Sequence, residues 1–113
     1  MNENEELSKI LRILQNYNAN LSIQDIRGKN ALLYLCSSKD LNIENLFTLC
    51  ENENDLNIED TKGRTPLLLL IKNSSLHLVK YLCSKGADVN HLNKFSSSPL
   101  LFSLFVQCNK INF

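Results

Sequence analysis

The chain has no surplus of charge of either sign: twelve basic and twelve acidic residues cancel across 113 positions. That balance excludes a protein that holds nucleic acid or a membrane surface by bulk charge, and any electrostatic role has to be local. Glycine and proline are scarce, at three and two residues. No glycine-rich phosphate loop, G-x-S-x-G elbow or H-E-x-x-H helix can be found. The fragment "KGRT" at Lys62 reads as a turn. Long apolar runs are missing too. The longest near the end, "PLLFSLFV", falls far short of the ~20 residues that cross a bilayer, and "MNENEELSK" at the start has neither the basic nor the apolar part of a secretion signal. A cytoplasmic or nuclear location is the expectation.

Four cysteines, Cys36, Cys50, Cys83 and Cys108, include no C-x-x-C pair, and neither His77 nor His91 joins them at metal-ligand spacing. All four sit among apolar residues, which predicts buried free thiols with no disulfide and no zinc. Both histidines read as solvated surface residues. Asp25 and Asp60 read as turn residues whose carboxylates accept local backbone N–H groups, not as catalytic acids. With no convergent set of reactive groups, the expectation is a protein that is not an enzyme and takes no cofactor, metal or small-molecule substrate.

What the sequence does contain is a period. "DIRGKNALLYLC" begins at Asp25, "DTKGRTPLLLLI" at Asp60 and "NKFSSSPLLFSL" at Asn93, in steps of 35 and 33 residues. A second block recurs in phase: "ILRILQNYNANLSIQ" from Ile10, "LFTLCENENDLNIE" from Leu46 and "LVKYLCSKGADVNHL" from Leu78. The first block opens a helix, because Thr65 is a good N-cap, Pro66 suits the first helical position, and leucine loses little rotamer freedom in a helix. That helix stops near Asn73, where "NSS" supplies a break and a fresh N-cap. The second helix then carries Leu78, Val79, Leu82 and Cys83 on one face. Gly86 closes it in the left-handed conformation, with Asn18 in the matching place of the first unit. The loop "SSKDLN" of the second unit is longer and "CENENDLN" is ambiguous by about one residue in alignment, so Phe47 is compatible with an inward or an outward position. Helices this short are marginal alone and require stacking on their neighbours. Within such a stack Leu67 is expected to be a severe site for truncation.

The stretch "DTKGRTPLLLLIKNSSLHLVKYLCSKGADVN", Asp60 to Asn90, resembles the ankyrin repeat. The resemblance implies an all-α helix-turn-helix solenoid with short β-turn or hairpin loops between repeats. One array fills residues 1–113: a second-helix half unit at 1–22, full units at 25–57 and 60–90, and a first-helix half unit at 93–113. There are departures. The family's histidine after T-P-L is Leu33, Leu68 and Leu101 here, and its two small alanines become Leu35 and Cys36, Leu70 and Ile71, and Ser103 and Leu104. This added bulk is expected to push the repeats apart or reshape the stack. Asn93 and Ser96 replace the aspartate and glycine of the last turn, which makes that turn the least secure.

The turn tips read Ile26, Arg27, Lys29, then Thr61, Lys62, Arg64, then Lys94, Phe95, Ser97: five basic residues and no acidic one. Stacked at helix-packing distance, equivalent tips form a ladder. The resemblance makes these tips and the concave face formed by the exposed side of the inner helices, with Ser37 and Lys72 beside the ladder, the partner-binding face. The expected partner is a protein with an acidic segment, gripped additionally by an apolar contact, in preference to nucleic acid or membrane. Phe95 reads equally as a binding residue or as a ring drawn over the uncovered end. Two alternatives stay open. The apolar run from Leu100 to Val106 suits a self-associating structural fragment, and the array equally suits a docking segment of a larger protein such as a kinase or ubiquitin-ligase adaptor.

Overall fold

The computed structural model describes residues 3–52, 55–73 and 75–111, with side chains at 5–51, 55–73 and 75–107. Six helices and no strand occur among them: α1 Glu3–Asn16, α2 Ala31–Ser37, α3 Ile43–Asn52, α4 Pro66–Lys72, α5 Leu76–Ser84 and α6 Pro99–Ile111. Helices α2, α4 and α6 pack in sequence as an inner row. Behind them α3 packs on α2, α5 on α4, and α1 on α3 as an outer row. The result is elongated, 45 × 29 × 28 Å, as a stack of helix pairs must be when each pair touches only its neighbours.

Local chemistry starts the inner helices. The Thr65 side chain accepts the Leu68 N–H and Pro66 occupies the first turn, while Asn30 caps α2 in the same way by accepting from Leu33. Residues 66–70 of α4 are all buried, since α2, α5 and α6 surround the helix. The expected cap of α5 is a correction. Ser75 holds the N-cap position but makes no side-chain cap bond, and its backbone N–H instead reaches back to the Leu70 carbonyl.

One apolar core runs through the stack, with Leu32, Leu33, Cys36, Leu46, Leu70 and Leu82 at its centre. Cys36 and Leu70, two of the positions where the family has alanine, are fully buried there, so the core absorbs their bulk. Leu33 and Leu68, in the place of the family's histidine, are buried as well. Phe47 is half-buried, and its ring meets Tyr81 at 4.4 Å between centroids, which joins α3 to α5. Cys36 and Cys50 are buried thiols outside any disulfide. Burial, with the Cys50 thiol nearby, pushes the Cys36 thiol well above its ordinary pKa, so it stays protonated and inert. Cys83 departs from expectation. It is only half-buried, because it lies at the flank of the α5 face that Leu78 and Leu82 centre. The side chain of Cys108 lies outside the described residues.

The turns show why the register is strict. Gly28 and Gly63 have φ of +75° and +74°, and each abuts the next tip. A Cβ on Gly28 would lie 2.8 Å from the Thr61 nitrogen, and one on Gly63 would lie 2.7 Å from the Phe95 ring. Asn18 and Ser96 take the same left-handed conformation, at +62° and +60°, without glycine's freedom. The last turn nevertheless forms fully. Asn93 Oδ1 accepts from the Phe95 and Ser97 N–H groups, as an aspartate would, and its Nδ2 donates to the Gly63 carbonyl at 2.7 Å, which an aspartate could not do. Gly63→Ala is therefore expected to lower stability by more than the ~1–2 kcal/mol of left-handed strain alone. Ser96→Gly should raise it by up to about 1 kcal/mol. Urea midpoints of the two variants measure both.

Candidate functional site

The tips are built by their opening acids. Asp25 Oδ1 accepts the N–H groups of Arg27 and Lys29, and Asp60 Oδ1 those of Lys62 and Arg64, all at 2.9 Å. The other oxygens differ. Asp60 Oδ2 holds the Arg64 guanidinium at 2.8 Å, whereas Asp25 Oδ2 accepts from the Tyr34 hydroxyl. Donation from Tyr34, followed by that from the Lys29 N–H, holds the Asp25 carboxyl below its ordinary value, and the same bond pushes the Tyr34 phenol up. Neighbouring tips are sewn together. The Thr61 N–H donates to the Arg27 carbonyl at 3.0 Å, and the Gln24 amide donates to the carbonyls of Gly28 and Glu59.

Between the first two tips lies a cleft of about 450 Å³ lined by Arg27, Lys29, Thr61, Lys62 and Arg64. Four of its five lining residues are cationic and none is acidic. Arg27 and Lys62 are exposed; Lys29 is half-buried, with its ammonium 5.1 Å from the centre of the Tyr34 ring. Arg64 is not a free projecting cation, because the buried Asp60 carboxylate already pairs with it and fixes its guanidinium as a wall of the cleft.

The remaining expected site residues lie elsewhere. Lys94 and Phe95 form the third tip and do not line the cleft. The Lys94 N–H donates to Glu59 Oε1, and its ammonium sits 5.9 Å from the Phe95 ring centre. Phe95 is largely exposed yet rests one edge on Gly63 of the preceding tip, so it neither points free nor folds over the end. Ser37 and Lys72 are the last residues of α2 and α4. They lie at the far ends of seven-residue helices, roughly 10 Å from the tips at 1.5 Å per residue. Ser37 is also occupied locally, donating to the Leu33 carbonyl. His91 is not merely solvated: its Nε2 lies 2.8 Å from Glu59 Oε2 and ties the inter-unit turn to the preceding one. His77 is exposed, as expected.

Two residues beside the cleft lie outside the expected binding set. Ile26 stands at the first tip with 95% of its surface exposed, and Tyr34 projects half-exposed from α2. An apolar residue at the second position of a turn was visible in the sequence. Tyr34, nine residues beyond Asp25, becomes relevant only once α2 folds back against the turn.

The repeated tip, inner helix and outer helix, with left-handed residues at 28, 63 and 96 and at 18 and 86, are those of a known repeat. A profile of ankyrin repeats, in three copies, matches residues 1–93. The chain belongs to the ankyrin repeat family. Ankyrin repeat protein OPG189 of Variola virus is 32% identical over 97 residues, 86% of this chain and 17% of that protein. Putative ankyrin repeat protein FPV242 of Fowlpox virus (strain NVSL) is 39% identical over 59 residues, 52% of this chain and 16% of that protein. Alpha-latrotoxin-Lg1a of Latrodectus geometricus is 48% identical over 46 residues, 41% of this chain and 3% of that protein. The ankyrin array described here thus spans less than a fifth of the length of each of these relatives. Ankyrin repeats are generally protein–protein interaction modules and typically non-catalytic.

Proposed function

We propose that this ankyrin array is a non-enzymatic module that holds an acidic segment of a partner protein against its first two turn tips. The observation that carries the reading is the cleft of Arg27, Lys29, Lys62 and Arg64, preformed by the Asp25 and Asp60 turns in a chain whose net charge is zero. Preformed donors lose little entropy on binding, and a local cluster of cations steers and orients an acidic segment while each exposed pair adds only ~0–1 kcal/mol. Ile26 and the exposed part of Tyr34 supply the apolar contact that charge alone does not.

Reversal of Arg27, Lys29 and Lys62 to glutamate, with Arg64 left in place to spare its pair with Asp60, tests this. A fluorescent peptide alternating glutamate with leucine is the probe. Binding to the native array should weaken as salt rises, and the reversed array should associate at least tenfold more slowly with that salt dependence gone. Equal association rates would remove the cleft from the binding face. Tighter binding of a single-stranded oligonucleotide than of the peptide, with a steep salt slope, would reassign the cleft to nucleic acid.

A further inference from the structure

The two ends of the stack expose complementary halves of one repeat. The left-handed residues fix the register: Gly63 matches Ser96, and Asn18 matches Gly86. Leu67 and Leu68 of α4 then correspond to Leu100 and Leu101 of α6, and Leu78 and Leu82 of α5 correspond to Ile10 and Leu14 of α1. The interior members of these pairs are buried, and the end members are not. Leu67 is 3% exposed and Leu100 68%; Leu82 is 0% exposed and Leu14 49%. Among the described residues, α6 is an inner helix without an outer helix of its own unit, and α1 is an outer helix without an inner one.

Beside α1 this leaves a groove of about 330 Å³, apolar along Leu7, Leu11, Leu35 and Leu49. Asn45 lies in its wall, buried, with its Oδ1 taken by the Ser8 hydroxyl and its Nδ2 without a hydrogen-bond partner. A buried amide donor left unpaired costs stability until an acceptor reaches it.

We infer that α6 of a second copy fills this groove, so that α6 of one copy and α1 of the next complete one ankyrin repeat. The joined pair reproduces the α4–α5 packing already present inside the chain, with Leu100 and Leu101 set against Ile10 and Leu14. Helices of one repeat, joined by a short loop, run antiparallel, so the end of α6 comes beside the start of α1. Their charges agree: α6 has no acidic residue in its sequence, and the first turn of α1 carries Glu5 and Glu6. Gln107, exposed and on the same side of α6 as Leu100 and Leu104, brings a carboxamide acceptor toward the Asn45 end of the groove. The contact is heterologous: the joined pair keeps one free groove and one free α6, so addition continues along the stack axis instead of stopping at a dimer.

Ile10→Glu blocks the groove end and leaves α6 intact; Leu100→Glu blocks α6 and leaves the groove intact. The native chain should show masses that climb with concentration through multiples of 12.9 kDa in analytical ultracentrifugation. Each variant alone should remain monomeric, and their equimolar mixture should stop at twice the chain mass. Helical dichroism checks each variant, and Leu14→Lys or Leu101→Lys replaces a member that does not fold. A native chain that stays monomeric across the micromolar range overturns the inference. So does an Ile10→Glu variant that associates with itself through α6, or a mixture that stays monomeric.

Discussion

Leu67→Ala is expected to remove about 2–5 kcal/mol of stability, the range for truncating a buried leucine in a core that cannot collapse around the void. Leu67 is buried among the helices that pack on α4, and a small domain has little more than that to lose. Leu100→Ala at the same register removes a side chain that is mostly exposed, and its urea midpoint in dilute solution should stay close to that of the native chain. Equal shifts for the two variants would mean that the interior and terminal helices are not equivalent positions of one repeat.

A second large effect is expected at Asp60. Its carboxylate is 1% exposed and accepts the N–H groups of Lys62 and Arg64 and the Arg64 guanidinium. Asp60→Ala leaves two turn donors and a half-buried cation unsatisfied, at a cost of about 3–5 kcal/mol. Asp25→Ala removes the same pair of turn bonds at an exposed tip, where water replaces them, and should shift the denaturation midpoint far less. Asp60→Asn, which keeps an acceptor for the N–H groups but loses the charge opposite Arg64, should fall between. A midpoint for Asp60→Ala no lower than that for Asp25→Ala would contradict the turn's role as the clamp between repeats.

Features set by a few neighbouring residues were legible from the sequence. The start of α4 at Thr65 and Pro66 is a local matter of capping, and the left-handed conformations of Asn18 and Ser96 follow from register against Gly86 and Gly63. Features set by contacts between distant segments were not. Phe47 found its place only through Tyr81, on a helix of the next repeat. The sequence shows Arg64 only as a basic tip residue, because its pairing with Asp60 depends on how tightly the turn winds. The third tip looks weak when Asn93 is set against aspartate as an acceptor alone, but its amide also donates to the Gly63 carbonyl one repeat away. Asn45 gave no warning at all, since its pairing with Ser8 spans 37 residues.

The most direct test of the proposed role maps the backbone amide chemical shifts of the isotope-labelled chain as the alternating glutamate–leucine peptide is added. The account predicts the largest, saturable changes at Arg27, Gly28, Lys29, Thr61 and Lys62, weaker ones at Tyr34, and little change along α3 and α5. Changes confined to α3 and α5, or to α1 and α6, with the first two tips silent at saturation, would contradict it.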